Sequence, residues 1–100
     1  DEFEAVRAAA VDACGELALR AASLAPAATD ALVDMFSDEL QRVRLNALDS
    51  LRKLAAAGRV AALSEEQLHV ALCMLDDANA GVRAHTHRLL GALGCANVAC

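Results

Sequence analysis

The residues whose side chains could bind or attack something are few. Four cysteines (Cys14, Cys73, Cys95, Cys100) and three histidines (His69, His85, His87) supply the soft and imidazole ligands. No CxxC occurs, and the Cys95/Cys100 spacing matches no zinc signature. His85 and His87 are two apart, so on a helix they diverge. His69 lies in another helical segment, where the acids before it are read as helix-end residues and not as its ligand partners. The acidic pairs Glu65/Glu66 and Asp76/Asp77 fall at helix ends, where they suit the helix dipole or a turn better than general acid catalysis. GxSxG, HExxH, P-loop and GxGxxG motifs are absent. The expectation is a chain without catalytic residues, metal or cofactor. Its thiols should be reduced and mostly buried, as in cytosolic or nuclear proteins.

The strongest pattern is a recurrence. Asp-x4-Val-Arg appears from Asp1 to Arg7, from Asp38 to Arg44 and from Asp77 to Arg83, at offsets of 37 and 39 residues. After each Val, small or apolar residues return at +4, +7, +8 and +11. The copies read Val6, Ala10, Ala13, Cys14, Leu17; then Val43, Ala47, Ser50, Leu51, Leu54; then Val82, Thr86, Leu89, Leu90, Leu93. Those offsets draw one stripe along a helix. Arg7, Arg44 and Arg83 each sit in the first turn of such a helix, where the dipole opposes a cation. An arginine placed there three times needs a compensating partner. The Asp six residues earlier is the candidate, in its own turn or in an adjacent unit. The six residues Asp1, Arg7, Asp38, Arg44, Asp77 and Arg83 would then form a ladder of charge-assisted hydrogen bonds. A row of arginines that binds phosphate is the alternative.

The elements that must position these residues are helical hairpins. Segments 27–37, with Leu32, Val33 and Phe36, and 65–76, with Leu68, Ala71, Leu72 and Leu75, precede the second and third copies. Pro26 suits a first helical turn. Ser64 with Gln67 reads as a capping box. Gly58 and Gly94 suit helix ends. The pattern predicts five helices, at about 4–22, 27–37, 41–57, 65–76 and 80–93. A period near 40 with two helices per unit is the signature of HEAT and armadillo repeats. One hairpin cannot bury its stripe alone, so neighbours stack into an all-α solenoid. The expected organisation is one segment of about two and a half repeats: residues 1–24 the second helix of a cut repeat, 25–60 a full repeat, and 61–95 another. A compact helical bundle is the rival architecture.

Composition agrees. Of 100 residues, 57% are apolar and 25 are alanine, with two Phe and neither Tyr nor Trp. Alanine favours closely packed helices, and the scarcity of aromatics argues against a sandwich or barrel. No apolar run is long enough to span a bilayer, and no membrane partner is expected. The chain opens DEFE without an initiator Met and reads as a piece of a longer protein. A piece with open apolar ends is expected to self-associate when isolated. The net charge is −5, yet residues 41–60 carry +4, from Arg42, Arg44, Arg52, Lys53 and Arg59 against Asp49. Arg42, Arg52, Lys53 and Arg59 form a candidate basic interaction patch for an acidic partner or a nucleic-acid backbone. A solvated helix face is the plainer reading, and the lack of Tyr and Trp argues against base stacking.

The middle of the chain goes beyond a general repeat. LVDMFSDE (Leu32 to Glu39), VRL (Val43 to Leu45) and LRKL (Leu51 to Leu54) resemble the Integrator complex subunit 4 family. So do SEEQL (Ser64 to Leu68), LDD (Leu75 to Asp77), the VR at Val82 and Arg83, and the opening DEFEAVRAAAV. The alanine richness departs from that family, and the tail from Gly94 to Cys100 matches less clearly. The resemblance implies a nuclear, non-catalytic scaffold, with the cytoplasm as the alternative location. It also implies protein partners: an RNA endonuclease subunit and its inactive paralogue. Their assembly processes small nuclear RNA 3′ ends and cuts nascent transcripts. The rival functions are a HEAT-repeat transport adaptor of importin or vesicle-coat type and, least favoured, a small HEAT-repeat lyase.

Overall fold

A computed structural model describes residues 2–97, with the side chains of residues 3–94. Five α-helices follow in order: α1 (Glu2–Arg20), α2 (Ala25–Asp34), α3 (Gln41–Ala56), α4 (Glu65–Cys73) and α5 (Ala80–Asn97). A 3-10 turn at Ala22–Leu24 leads into α2. Further 3-10 turns, at Met35–Ser37 and Met74–Asp76, tighten the ends of α2 and α4. The described residues contain no strand, and the fold is all-α.

The helix ends have local causes. Pro26 lies in the first turn of α2, where its missing N–H removes no intrahelical bond. The α3 helix ends in a Schellman arrangement. Gly58 adopts φ +73°, its N–H donates to the Ala55 carbonyl at 3.1 Å, and the Arg59 N–H donates to the Leu54 carbonyl at 2.8 Å. At the start of α4 the capping box closes in both directions. The Gln67 N–H donates to Ser64 Oγ at 3.1 Å, and the Ser64 N–H to Gln67 Oε1 at 3.0 Å. Asn79 caps α5 by accepting the Val82 N–H at 3.0 Å. Gly94 does not end α5, which runs on to Asn97. Its backbone stays out of the left-handed region, unlike that of Gly58. The neighbours Ala92, Leu93 and Ala96 are good helix formers that carry the helix through it.

The helices lie in two layers. In one, α3 packs between α1 and α5; in the other, α2 packs on α1 and α3, and α4 on α5 and α2. The core runs between the layers and is built from Leu32, Phe36, Val43, Leu48, Leu51, Leu54, Val82 and Leu89, each at most 1% exposed. In α3 the whole expected stripe is buried, as are Val82, Thr86, Leu89 and Leu93 of α5. Thr86 tolerates this because its hydroxyl donates to the Val82 carbonyl at 2.7 Å.

The first copy of the stripe behaves differently. Val6 and Leu17 are 66% and 56% exposed, and α1 instead buries Ala8, Val11, Gly15 and Ala18. The reason is positional: α3 and α5 each pack their stripe on the helix that precedes them, α2 and α4 with their 3-10 ends, whereas among the described residues no helix precedes α1, which meets α3 and α2. Its buried face is the one turned toward the next hairpin. Val6 occupies the place of Val43 and Val82 in the repeat but not in the core.

Candidate functional site

The recurring Asp and Arg side chains meet between hairpins. Arg7 of α1 reaches the Asp38 carboxylate, which is 2% exposed. Arg44 of α3 repeats the contact one unit on: its Nε lies 3.0 Å from Asp77 Oδ2 and its Nη2 donates to Asp77 Oδ1 at 3.4 Å. Each arginine of a full unit also reaches back into its own turn. Arg44 Nη1 donates to the carbonyls of Asp38 (2.9 Å) and Glu39 (3.2 Å). Arg83 Nη1 does the same to Asp77 (2.7 Å) and Ala78 (3.2 Å). The aspartates stiffen the turns in parallel fashion. Asp38 Oδ1 accepts the Leu40 N–H at 2.8 Å, and Asp77 Oδ1 the Asn79 N–H at 2.9 Å. Arg44, in the first turn of α3 where the dipole opposes a cation, is therefore offset twice, by carbonyls of its own turn and by a carboxylate of the next unit. Asp1 lies outside the described residues. Among those residues, Arg83 has no carboxylate partner.

The four residues of the basic stretch have different partners. Arg52 Nη2 sits 2.7 Å from Asp49 Oδ1 and Lys53 Nζ 3.3 Å from Asp49 Oδ2, so one carboxylate serves both cations. Burial pushes the Asp49 carboxyl up, but the hydrogen bonds and charges of Arg52 and Lys53 prevail and hold it below the usual carboxylate value. Arg59 turns the other way. Its Nη2 donates to the Leu19 carbonyl at 3.2 Å, satisfying an acceptor in the last turn of α1, forty residues away. Arg42 is exposed and makes no ion pair among the described residues.

Two further contacts escaped a reading of the sequence by units. Gln67 completes its capping box through Oε1 and uses Nε2 to donate to Asp30 at 2.7 Å, joining α4 to α2. His69 Nε2 and Cys73 Sγ lie 3.7 Å apart, one helical turn from each other on α4. The signal for the second was present as i,i+4 spacing; it was missed because His69 was weighed only against acids. Cys14 is half-buried against the core, and Cys73 is exposed, contrary to the expectation of buried thiols. Cys95 and Cys100 lie beyond the described side chains. The described surface offers several shallow grooves. One of about 500 Å3 runs between the ends of α2 and α4, past Phe36, Asp38, Arg44, His69, Cys73 and Asp77. Another, of about 240 Å3 and mostly apolar, lies between α1 and α2 at Ala10, Cys14, Leu32 and Met35. Among the described residues no three metal-binding side chains converge, and no helix is long and apolar enough to cross a membrane.

No protein-family model matches the chain, and no solved structure does. Curated relatives match it from end to end. It is 40% identical over 100 residues to the Integrator complex subunit 4 homolog of Dictyostelium discoideum, covering all of this chain and 8% of that protein. Against Integrator complex subunit 4 of Drosophila melanogaster the identity is 41% over 100 residues, again over the whole chain and 10% of the relative. Against the Homo sapiens protein it is 40% over 98 residues, covering 98% of this chain and 10% of that one. The chain thus spans about a tenth of the length of the relatives it matches, and over that span it is similar to one segment of Integrator complex subunit 4.

Proposed function

We propose that this segment is a non-catalytic, HEAT-type part of a scaffold subunit in an Integrator-like complex. The observation that carries the reading is the end-to-end match with subunit 4 in three distant organisms. Those relatives are named as subunits of a complex and not by a reaction. The geometry supports a structural role. Its most repeated polar contacts, Arg7 to Asp38 and Arg44 to Asp77, join one hairpin to the next and leave the outer helix faces to meet partners. On this reading the protein acts in the nucleus. It holds the RNA endonuclease and its inactive paralogue during small nuclear RNA 3′-end processing and cleavage of nascent transcripts.

Affinity purification of the intact protein from nuclear extract tests the proposal. Recovery of the endonuclease pair is expected. It should fall when Arg44→Glu and Asp77→Lys, introduced singly, break the contact between hairpins, and return in part when both are combined, since the swap restores the ion pair and not the hydrogen bonds to the turns. Recovery of Ran with cargo peptides, or of vesicle-coat subunits, in place of the endonuclease pair would overturn it.

A further inference from the structure

The groove between the ends of α2 and α4 carries a pair of side chains that no structural contact requires. His69 and Cys73 are both exposed, so neither fills the core. Their placement at i and i+4 on α4 puts both on one helix face. The Nε2 to Sγ separation is 3.7 Å. For a tetrahedral zinc ion, bond lengths of about 2.3 Å to sulfur and about 2.0–2.1 Å to nitrogen require the two ligand atoms to stand about 3.5–3.6 Å apart. The pair is already at that distance, held on a helix whose start is fixed by the Ser64–Gln67 capping box. Imidazole and thiolate are the ligand types that zinc-class cations favour over hard oxygen donors. The adjoining groove of about 500 Å3 leaves room for the remaining ligands.

We propose that His69 and Cys73 form a two-ligand half-site for a zinc-class divalent cation, with water in the remaining positions. Binding forms a metal–sulfur and a metal–nitrogen bond and releases the Cys73 thiol proton to solvent, with no change of oxidation state. Cys14, half-buried and without a histidine partner among the described residues, serves as the internal control.

The test uses the intact protein and Zn2+ alone. Iodoacetamide labelling of each cysteine is followed by peptide mass spectrometry, with and without Zn2+. At a free Zn2+ concentration ten times the dissociation constant, Cys73 should label about tenfold more slowly, while Cys14 is unaffected. The protection should be lost in His69→Gln, which keeps its helical circular dichroism. Co2+ should give a thiolate charge-transfer band in the wild type that is absent from Cys73→Ser. Absence of protection at Cys73, equal protection at Cys14, or protection that survives His69→Gln would overturn the proposal.

Discussion

Gly15 of α1 runs directly against Ser50 of α3: a Cβ on Gly15 would stand 2.9 Å from the Ser50 Cβ and 3.1 Å from its Oγ. Only a residue without a side chain lets the two helices come this close. Gly91 holds the same repeat position in α5, nine residues after its Val, with nothing within 4 Å of its would-be Cβ. Gly15→Ala should therefore destabilise the segment by about 1–3 kcal/mol through overpacking. Gly91→Ala should stabilise it by about 0.5–1 kcal/mol through helix propensity. Urea denaturation of the two variants gives the opposite signs directly.

The inter-hairpin arginines should differ in weight. Arg44→Ala strips Asp77 of its partner and frees two turn carbonyls, at a cost of about 2–3 kcal/mol. Arg7→Ala leaves the buried Asp38 carboxylate with only the Leu40 N–H, at about 1–3 kcal/mol. Arg83→Ala loses backbone acceptors alone and should cost about 1 kcal/mol. Thermal unfolding midpoints that ranked Arg83 above Arg44 would contradict the observed geometry.

Asp49 makes a small contribution that depends on pH. Its carboxyl is held below the ordinary value in the folded chain, so the native state favours the ionised form. That stabilisation is complete above the unfolded carboxylate value and is lost as pH falls through the folded one. Asp49→Asn should lower stability at neutral pH by about 0.5 kcal/mol, the scale of an exposed pair. The difference from wild type should vanish in strong acid, which paired denaturation curves at the two pH values would show.

Gly58 is the described glycine with positive φ, at +73°. Gly58→Ala should cost about 1–2 kcal/mol by forcing an L-residue into the left-handed region. Gly58→Asn should recover part of that loss, since Asn visits this region more readily. Equal destabilisation by the two substitutions, measured by urea unfolding, would argue that the turn is held by something other than backbone strain.

Much of this arrangement could be read from the spacing of residues. The stripe after Val43, the capping box at Ser64 and the turn at Gly58 are local, and local rules place them. The first stripe failed at Val6 because burial depends on what flanks a helix, and periodicity does not say on which side the neighbour stands. The direction of the ladder, from Arg44 to Asp77 and not to the Asp38 carboxylate of its own turn, is likewise absent from the spacing. The partners within the basic stretch are only partly local. Net charge counts residues, whereas Arg52 and Lys53 share Asp49 and Arg59 reaches the end of α1. The contact of Arg59 with Leu19, forty residues away, carries no short-range signature, whereas the pairing of Arg52 and Lys53 with Asp49 follows the i,i+3 and i,i+4 spacing of a helix.

The flanking of α3 by α1 and α5 bears on how the segment comes apart. An interior rung loses its packing only after an outer one has peeled away, so opening should begin at the margins and travel inward. Amide hydrogens of Leu48, Leu51 and Leu54 should then exchange last, and those on the outward side of α1 first, giving protection graded along the chain under native conditions.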